Sequence, residues 1–284
     1  MRVVLRTGVV VLAVLAAWIA TGWLPVAAAS PIRLYVLDGG TLKQRDGVPY
    51  GLSREQVPPR DLSDVCVLIV HPAGLFLWDT GLNESVNDLK ESAGPPAPGR
   101  ARPGDHVGST LRAQLAGIGY TPGDIKFASL SHSHWDHTGN VRDFLGATWL
   151  LQTRERDAMF AERRPSNFAD YEGLQHAKTI LVDGDYDVFK DGLVRLVFTP
   201  GHTAGHQSLF VKLPNTGAVI LSGDLYHFPE ELTLEPTLTG RNAAQISSSM
   251  AKLRALIGET GAHVWIQHDI RGFATLKRPP AYYD

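Results

Sequence analysis

Apolar residues along the chain gather in short β-rich runs that are separated by turn signals. Residues 32–42, IRLYVLDGGTL, predict a strand that ends at Asp38-Gly39-Gly40. Two further runs on either side of residues 71–74 predict a β-hairpin, and so do the two runs around residues 214–217. These patterns indicate that β-sheets form a large part of the fold.

Both predicted hairpins end on an aspartate in a short polar sequence. Asp79 follows the first hairpin in WDTG, and Asp224 follows the second hairpin in LSGD. We interpret this likeness as a weak internal duplication, in which two similar halves each deliver an aspartate at a strand end.

Between the strands, apolar residues recur at helical spacing. The predicted helices are residues 108–120, 137–147, 153–164 and 242–262. The last is the clearest because it places four apolar residues on one face, Ile246, Met250, Leu253 and Ile257. Residues 90–105 are rich in proline and glycine and predict a long surface loop. Strands and helices that mix without strict alternation favour an α+β fold with helices covering the sheets.

The N-terminal segment has the composition of an export signal. Residues 1–29 contain two arginines, an apolar run over residues 8–24 and three alanines at residues 27–29. This layout predicts a cleaved signal peptide followed by one domain over residues 30–284. An uncleaved membrane anchor is the alternative, because the apolar run is close to the ~20 residues that span a bilayer. Both interpretations place the domain outside the cytoplasm, either in the periplasm or secreted.

The charge of the chain disfavours a nucleic-acid partner, and its cysteine content excludes an intrachain disulfide. The net charge is −2, and removal of the two N-terminal arginines takes it to −4. We therefore expect no nucleic-acid partner, and membrane contact only if the N-terminal segment stays uncleaved. The one cysteine, Cys66, cannot form an intrachain disulfide. The sequence leaves a monomer and a dimer both open.

One short segment carries an unusual density of metal-ligand side chains. In SLSHSHWDHTGN, residues 129–140, four of them fall within six positions: His132, His134, Asp136 and His137. The first two histidines follow a strand pattern, and side chains two residues apart on an extended segment point the same way. The next two residues come where the chain turns into a helix, so the segment suits two neighbouring metal ions. A polar strand end with hydrogen-bonded histidines is the alternative, but burying these groups without a cation is costly.

Three later segments offer further ligands, each directly after a β-rich run. They are FTPGHTAGHQSLF with His202 and His206, LSGDLYH with Asp224, and VWIQHD with His268. All of these side chains can therefore gather at one edge of the sheets. Histidine and carboxylate ligands suit two divalent ions, with zinc as the first choice and cobalt, iron or manganese as alternatives.

Taken together, HxHxDH, TPGHTAGH, SGD and a final histidine resemble the motifs of the metallo-β-lactamase superfamily over residues 32–268. The resemblance implies a four-layer αββα sandwich. It implies that Asp224 bridges two metals, that His206 lies behind the ligands, and that Asp79 orients a ligand through a hydrogen bond. The implied ligands are His132, His134 and His202 for one metal, and Asp136, His137 and His268 for the other.

Within that superfamily the motifs are similar to those of the N-acyl-homoserine lactonases. The resemblance implies that a hydroxide bridging two metals opens a lactone ring. It also implies that Tyr226 donates a hydrogen bond to the substrate carbonyl oxygen and that Asp136 passes a proton to the leaving alkoxide. In the resembled enzymes the tyrosine stands three residues after the bridging aspartate. Here Tyr226 stands two residues after Asp224 and His227 stands three after, so either side chain could face the site.

Other activities and another pocket remain open at this point. Hydrolysis of phosphotriesters, phosphodiesters or thioesters is the main alternative to lactone opening. A non-catalytic metal-binding protein is a second alternative, which the bridging aspartate disfavours because structural zinc sites are closed by four ligands. We expect an acyl chain to contact four residues: Trp135, Met159, Phe160 and Phe168.

Overall fold

Two β-sheets form the centre of the protein. The computed structural model describes residues 32–90, 100–234, 236–240 and 242–284, so the predicted signal peptide lies outside the described residues. The first sheet has the order β1-β2-β3-β4-β5-β6 and comprises Arg33–Arg45, Arg60–His71, Gly74–Trp78, Ile125–Ser129, Thr148–Gln152 and Thr179–Val182. The second has the order β11-β10-β9-β8-β7, where β7 to β11 are Tyr186–Asp187, Val194–Phe198, Gln207–Leu213, Gly217–Leu221 and His263–Trp265.

Helices connect the strands and cover the sheets. The α-helices α1 to α6 are Leu111–Gly117, Trp135–Thr138, Thr153–Met159, Phe168–Tyr171, Ala243–Thr260 and Ile270–Thr275. Short 3-10 turns are Val48–Tyr50, Glu84–Asp88, Pro122–Asp124, Val141–Phe144, Glu172–Gln175, Gly223–Leu225 and Pro229–Leu232. Across the described part of the chain, no helix combines the length and apolarity needed to cross a membrane.

Apolar side chains divide the structure into four layers. Between the sheets, side chains such as Val67 and Phe76 pack in one cluster with Leu209 of the facing sheet. On the outer face of the first sheet, α1 contributes Leu111 and Leu115 to a second cluster. On the outer face of the second sheet, α5 contributes Met250 and Leu253 to a third. The predicted αββα sandwich is confirmed, and burial of both faces of each sheet explains the nearly continuous apolar runs.

Both predicted hairpins are present, one in each sheet. Residues His71 and Gly74 pair where β2 turns into β3, and Leu213 and Gly217 pair where β9 turns into β10. The C-terminal ends of β3 and β10 therefore carry their aspartates into the same region of the molecule.

The first strand is longer than predicted. It continues past Gly39 and Gly40 to Arg45, because a break in register between Asp38 and Gly40 absorbs the glycine pair as a bulge. Gly40 has a φ of +132°, and a Cβ there would lie 2.5 Å from Leu82 Cδ1. The glycines therefore shape a bend within the strand and do not end it.

Two predicted helices differ from those observed. The helix predicted over residues 137–147 begins at Trp135, and Gly139 separates it from the 3-10 turn that follows. Gly139 lies against the backbone after β3, where a Cβ would approach Asn83 N to 2.1 Å, and its amide donates to Gly81 O. The helix predicted over residues 153–164 ends at Met159. The long helix α5 agrees with its prediction over residues 242–262.

Candidate metal centre

The predicted ligands meet where strand ends from both sheets converge. His132 and His134 follow β4, Asp224 follows β10, and His268 follows β11. His202 lies on the connection between β8 and β9. The structure brings all seven predicted ligands together as two groups, each with ligand atoms within 4.8 Å of one another: His132, His134, His202 and Asp224, and Asp136, His137 and His268.

Asp224 lies between the two groups, with one carboxylate oxygen facing each. Its Oδ2 is 3.6 Å from His132 Nε2 and 3.3 Å from His202 Nε2. Its Oδ1 is 3.3 Å from His137 Nε2 and 3.1 Å from His268 Nε2. This is the placement that a carboxylate needs in order to bridge two cations.

The donor atoms fit a pair of divalent ions. His132 Nε2, His137 Nε2 and Asp224 Oδ1 are buried without a hydrogen-bond partner among the described residues. Unpartnered buried polar atoms are rare in proteins because they cost free energy, and cations between the two groups would satisfy all three.

The second ring nitrogen of three histidines is held by a neighbour. His132 Nδ1 lies 3.1 Å from Ser131 Oγ, and His268 Nδ1 lies 2.8 Å from the Ser63 carbonyl oxygen. The Nδ1 of His137 lies 3.0 Å from Asp79 Oδ2. Such contacts orient each Nε2 toward the centre, as partners of metal-bound histidines usually do.

Asp79 orients a ligand as the resemblance implied, and it has a partner that sequence analysis missed. The Asp79 Oδ2 atom also accepts from Gln267 Nε2 at 2.9 Å. Gln267 Oε1 in turn accepts from the Gly223 amide at 3.1 Å. Gln267 therefore connects the ends of β3 and β10, and its one signal in the sequence is its position next to His268.

His206 lies behind the ligands, as predicted. Its Nε2 accepts a hydrogen bond from the backbone amide of Asp224 at 2.9 Å, and its Nδ1 donates to the Thr199 carbonyl oxygen at 2.9 Å. Burial lowers the pKa of His206 to about 4. The ring is therefore neutral at physiological pH and can keep accepting the bond that positions Asp224.

Glu155 joins two of the ligand-bearing loops and was also missed. Its Oε1 accepts from the amide and the hydroxyl of Ser133 at 2.8 and 2.7 Å. Its Oε2 accepts from the Thr203 hydroxyl at 2.7 Å and from the Gly205 amide at 2.9 Å. In sequence Glu155 is one charge among several in TRERDAMFAERR, so nothing marks it as the buried member of that helix.

The structure does not bring Tyr226 to the cluster. Its ring is fully buried in the core beneath α5, together with Met250 and Leu253. His227 takes the position at the site, with its Nε2 3.1 Å from Asp224 Oδ2. The expectation for Tyr226 is therefore wrong in this structure, because the turn at Gly223–Leu225 directs residue 226 toward α5 and residue 227 toward the ligands.

The expected acyl-chain pocket is also mostly core. Met159 is fully buried, and the partly buried rings of Phe160 and Phe168, with centroids 6.1 Å apart, pack against the core outside the first sheet. Trp135 is the one member of the expected set that lines the cavity above the cluster. Helical spacing could not distinguish these core aromatics from a pocket.

Two neighbouring cavities open beside the candidate ligands. One, of about 260 Å³, lies over the cluster and is lined in part by Leu42, Leu62 and Trp135. The other, of about 300 Å³, extends toward α5 along Leu238, Ile246 and Met250. Five residues line both cavities: Pro49, Tyr50, His202, Asp224 and His227.

Charges within the metal-free cluster are strongly interdependent. Burial opposes ionisation of Asp224, yet His268 and His137 hold the pKa of its carboxyl well below the ordinary range. Burial likewise opposes the charge on His268, yet the Asp224 carboxylate raises the pKa of that imidazole to about 9. Burial lowers the pKa of His132 and of His202. In the metal-free protein, the proton on His268 therefore supplies positive charge beside Asp224 that a bound metal ion would otherwise supply.

We expect zinc binding to release at least one proton per chain near pH 7.5. His268 is protonated below a pKa of about 9 and must lose its Nε2 proton to bind a metal. The apparent affinity should therefore rise about tenfold per pH unit for each proton released, up to about pH 9. Calorimetry in buffers of different ionisation enthalpy measures the number of protons. Zinc binding without buffer-dependent heat would contradict the expectation.

Comparison with known proteins supports the reading of this site. Residues 59–262 match the metallo-beta-lactamase superfamily. The chain is 33% identical over 280 residues to the N-acyl homoserine lactonase AttM of Azorhizobium caulinodans, covering 89% of this chain and 99% of that protein. It is 29% identical over 218 residues to an N-acyl homoserine lactonase of Bacillus thuringiensis, covering 76% of this chain and 85% of that protein.

A solved structure shows the same fold with a product in its site. It is an N-acyl homoserine lactone hydrolase with N-hexanoyl-L-homoserine bound at the catalytic metal centre, and it superposes with a TM-score of 0.71 at 25% identity. The match covers 88% of this chain and 98% of that one. The chain belongs to the metallo-beta-lactamase superfamily, in the branch that contains the N-acyl homoserine lactonases.

Proposed function

We propose that the protein is a metal-dependent hydrolase that opens the ring of N-acyl homoserine lactones. The observation that carries the proposal is the placement of Asp224, with one oxygen toward each of two ligand groups, beneath an open cavity. The similarity to lactonases over 89% of the chain supports the choice of substrate class. Two divalent ions, with zinc as the first candidate, fit the ligand set.

The residues around the cluster have separate tasks in such a reaction. The pair of ions, when bound, supplies a hydroxide-like nucleophile at neutral pH and polarises the carbonyl oxygen. Asp136 lies at the cavity, with its oxygens 4.0 Å from His137 Nε2 and 3.8 Å from His268 Nε2. Its carboxylate can accept the proton lost by the attacking water and return it to the ring oxygen that leaves as an alkoxide.

The second cavity suits the acyl chain. It is lined by Tyr50 and His202 beside the cluster and by the apolar side chains of Leu238, Ile246 and Met250. Burial of methylene groups contributes about 0.8 kcal/mol each, so this wall favours substrates that carry an alkyl chain. We therefore place the acyl chain toward α5 and the lactone ring over the cluster.

A pH-indicator assay on the zinc-loaded protein tests the function. We expect hydrolysis of a medium-chain N-acyl homoserine lactone with one acid equivalent released per ring opened. A panel of phosphotriester, phosphodiester and thioester substrates run in parallel decides between reaction classes. If the metal-loaded protein leaves every acyl length intact, the lactonase proposal fails. A phosphotriester rate far above the lactone rate would assign the site to phosphoester hydrolysis instead.

We also propose that the domain acts outside the cytoplasm, in the periplasm or the medium. The composition of residues 1–29 supports this location. Mass spectrometry of the exported protein would give the cleavage point, and retention of residues 1–29 would favour the anchor instead.

A further inference from the structure

A side chain from a distant segment occupies the cavity where the site needs a hydrogen-bond donor. Tyr226 lies in the core, and His227 stands at the third position after Asp224. Among the described residues, Tyr50 is the one tyrosine that lines either cavity, and it lines both. Tyr50 ends the 3-10 turn Val48–Tyr50 between β1 and β2, far from the metal-ligand motifs in sequence.

The segment around Tyr50 is fixed by close backbone contacts. Gly51 follows it with a φ of +82°, and a Cβ on Gly51 would lie 2.7 Å from Thr237 O. The Thr237 amide donates to Gly51 O at 3.1 Å. This contact holds the Tyr50 turn against the segment that leads into α5, which forms the far wall of the second cavity.

The Tyr50 ring itself is held by aromatic contacts. It stacks on His227 with ring centroids 3.6 Å apart and an interplanar angle of 21°. It also contacts Phe228 at a centroid distance of 5.9 Å. Stacked aromatic rings restrict rotation, so these two neighbours place the phenol at the junction of the two cavities.

The Tyr50 phenol keeps its proton at neutral pH. Burial raises the pKa of the Tyr50 phenol well above its ordinary value, and the Asp224 and Asp136 carboxylates add to the increase. Because Tyr50 and Asp224 line the same two cavities, the phenol lies beside the candidate site. A neutral phenol in that place can donate to an oxygen that gains negative charge.

We propose that Tyr50 donates a hydrogen bond to the lactone carbonyl oxygen of the substrate, and that His227 acts as the positioning residue that holds the Tyr50 ring. The inference rests on the proposed lactonase function. It assigns the substrate-contacting donor to the β1–β2 connection, whereas the sequence motifs pointed to the segment after Asp224. The donor bond strengthens as the carbonyl oxygen becomes an oxyanion, so its effect falls mainly on kcat.

The test compares two variants that each remove one phenol hydroxyl. Tyr50→Phe removes it from the cavity, and the control Tyr226→Phe removes it from the core. In the zinc-loaded protein we expect Tyr50→Phe to lower kcat/KM for the lactone about 10- to 100-fold, mostly through kcat. Tyr226→Phe should change kcat/KM less than about twofold. Zinc content should stay equal to wild type in both variants. Calorimetric binding of an unreactive γ-lactam analogue should weaken about threefold or more in Tyr50→Phe alone.

Each other outcome has a defined meaning. If Tyr50→Phe keeps kcat within twofold, or loses zinc, the proposal is overturned, because the hydroxyl then has no contact with substrate or instead supports the cluster. If Tyr226→Phe shows the larger loss, the donor lies after Asp224. If the wild-type protein opens no lactone, the proposed function fails, and unchanged lactam binding in Tyr50→Phe would then overturn the contact as well.

Discussion

Asp224→Ala should remove lactone hydrolysis almost completely, with kcat/KM falling about a thousandfold or more. One carboxylate oxygen faces His132 and His202, and the other faces His137 and His268. Removing the carboxylate therefore takes a ligand from both groups at once. Zinc content should fall from two ions per chain to at most one, as measured by plasma emission spectrometry on dialysed protein.

A matched control separates this effect from a general loss of charge. Asp157 is exposed on α3, so Asp157→Ala should retain wild-type zinc content and activity. Far-ultraviolet circular dichroism checks that both variants fold. Two tightly held zinc ions in Asp224→Ala, together with more than a tenth of the activity, would contradict a bridging role for Asp224.

The same variant should also change how the stability of the metal-free protein depends on pH. In the wild type the Asp224 carboxylate raises the pKa of His268 from 6.5 to about 9. The stability from this pair is therefore fully present below about pH 6.5 and is lost as pH rises through about 9. Urea unfolding with a chelator present should show this decline in the wild type and a weaker one in Asp224→Ala.

The candidate ligands were identifiable from the sequence because they lie in short motifs after strand patterns, whereas their division between two metals was implied by the resemblance. His132 and His268 each come after a strand pattern. Because strand ends converge at a sheet edge, the sequence predicted that these side chains would lie close together. The αββα layers were implied by the resemblance, and the apolar runs agree with sheets that are buried on both faces.

The supporting residues were not predictable, because their roles depend on contacts between segments far apart in sequence. Glu155 and Gln267 are single polar residues without a motif, and only the fold shows what they touch. The 3-10 turn Gly223–Leu225 decides whether Tyr226 or His227 faces the site. After that turn the two successive side chains point to opposite sides, Tyr226 toward the core and His227 toward the ligands. Tyr50 reaches the site through a tertiary contact at Gly51.

Glu155→Gln should weaken the candidate metal centre from outside the ligand set. The carboxylate accepts four hydrogen bonds, two on each oxygen, from the loop that contains Ser133 and from the loop that contains Thr203 and Gly205. A glutamine amide offers one acceptor oxygen, and its NH₂ group would face two donors. About two of the four bonds would therefore be lost, and a buried backbone amide would be left without a partner.

The expected cost is about 2–4 kcal/mol of unfolding free energy, since an unsatisfied buried donor costs about 1–3 kcal/mol and charged acceptors bind more strongly than neutral ones. For a domain of this size the melting temperature should fall by about 5–15 °C. Differential scanning calorimetry of the zinc-loaded protein measures the change. Asp157→Asn, on the exposed side of the same helix, should shift the melting temperature by less than about 2 °C.

A role in positioning the ligands predicts more than a loss of stability. Ser133 stands between His132 and His134, and Thr203 stands next to His202, so all three histidines of the first ligand group depend on Glu155. Competition titration with a zinc chelator should show one of the two sites weakened about 10- to 100-fold in Glu155→Gln. The site of Asp136, His137 and His268 should keep its affinity, because none of its ligands adjoins these bonds. Equal weakening of both sites would mean that Glu155 supports the fold generally, and unchanged affinity at both would remove it from the metal centre.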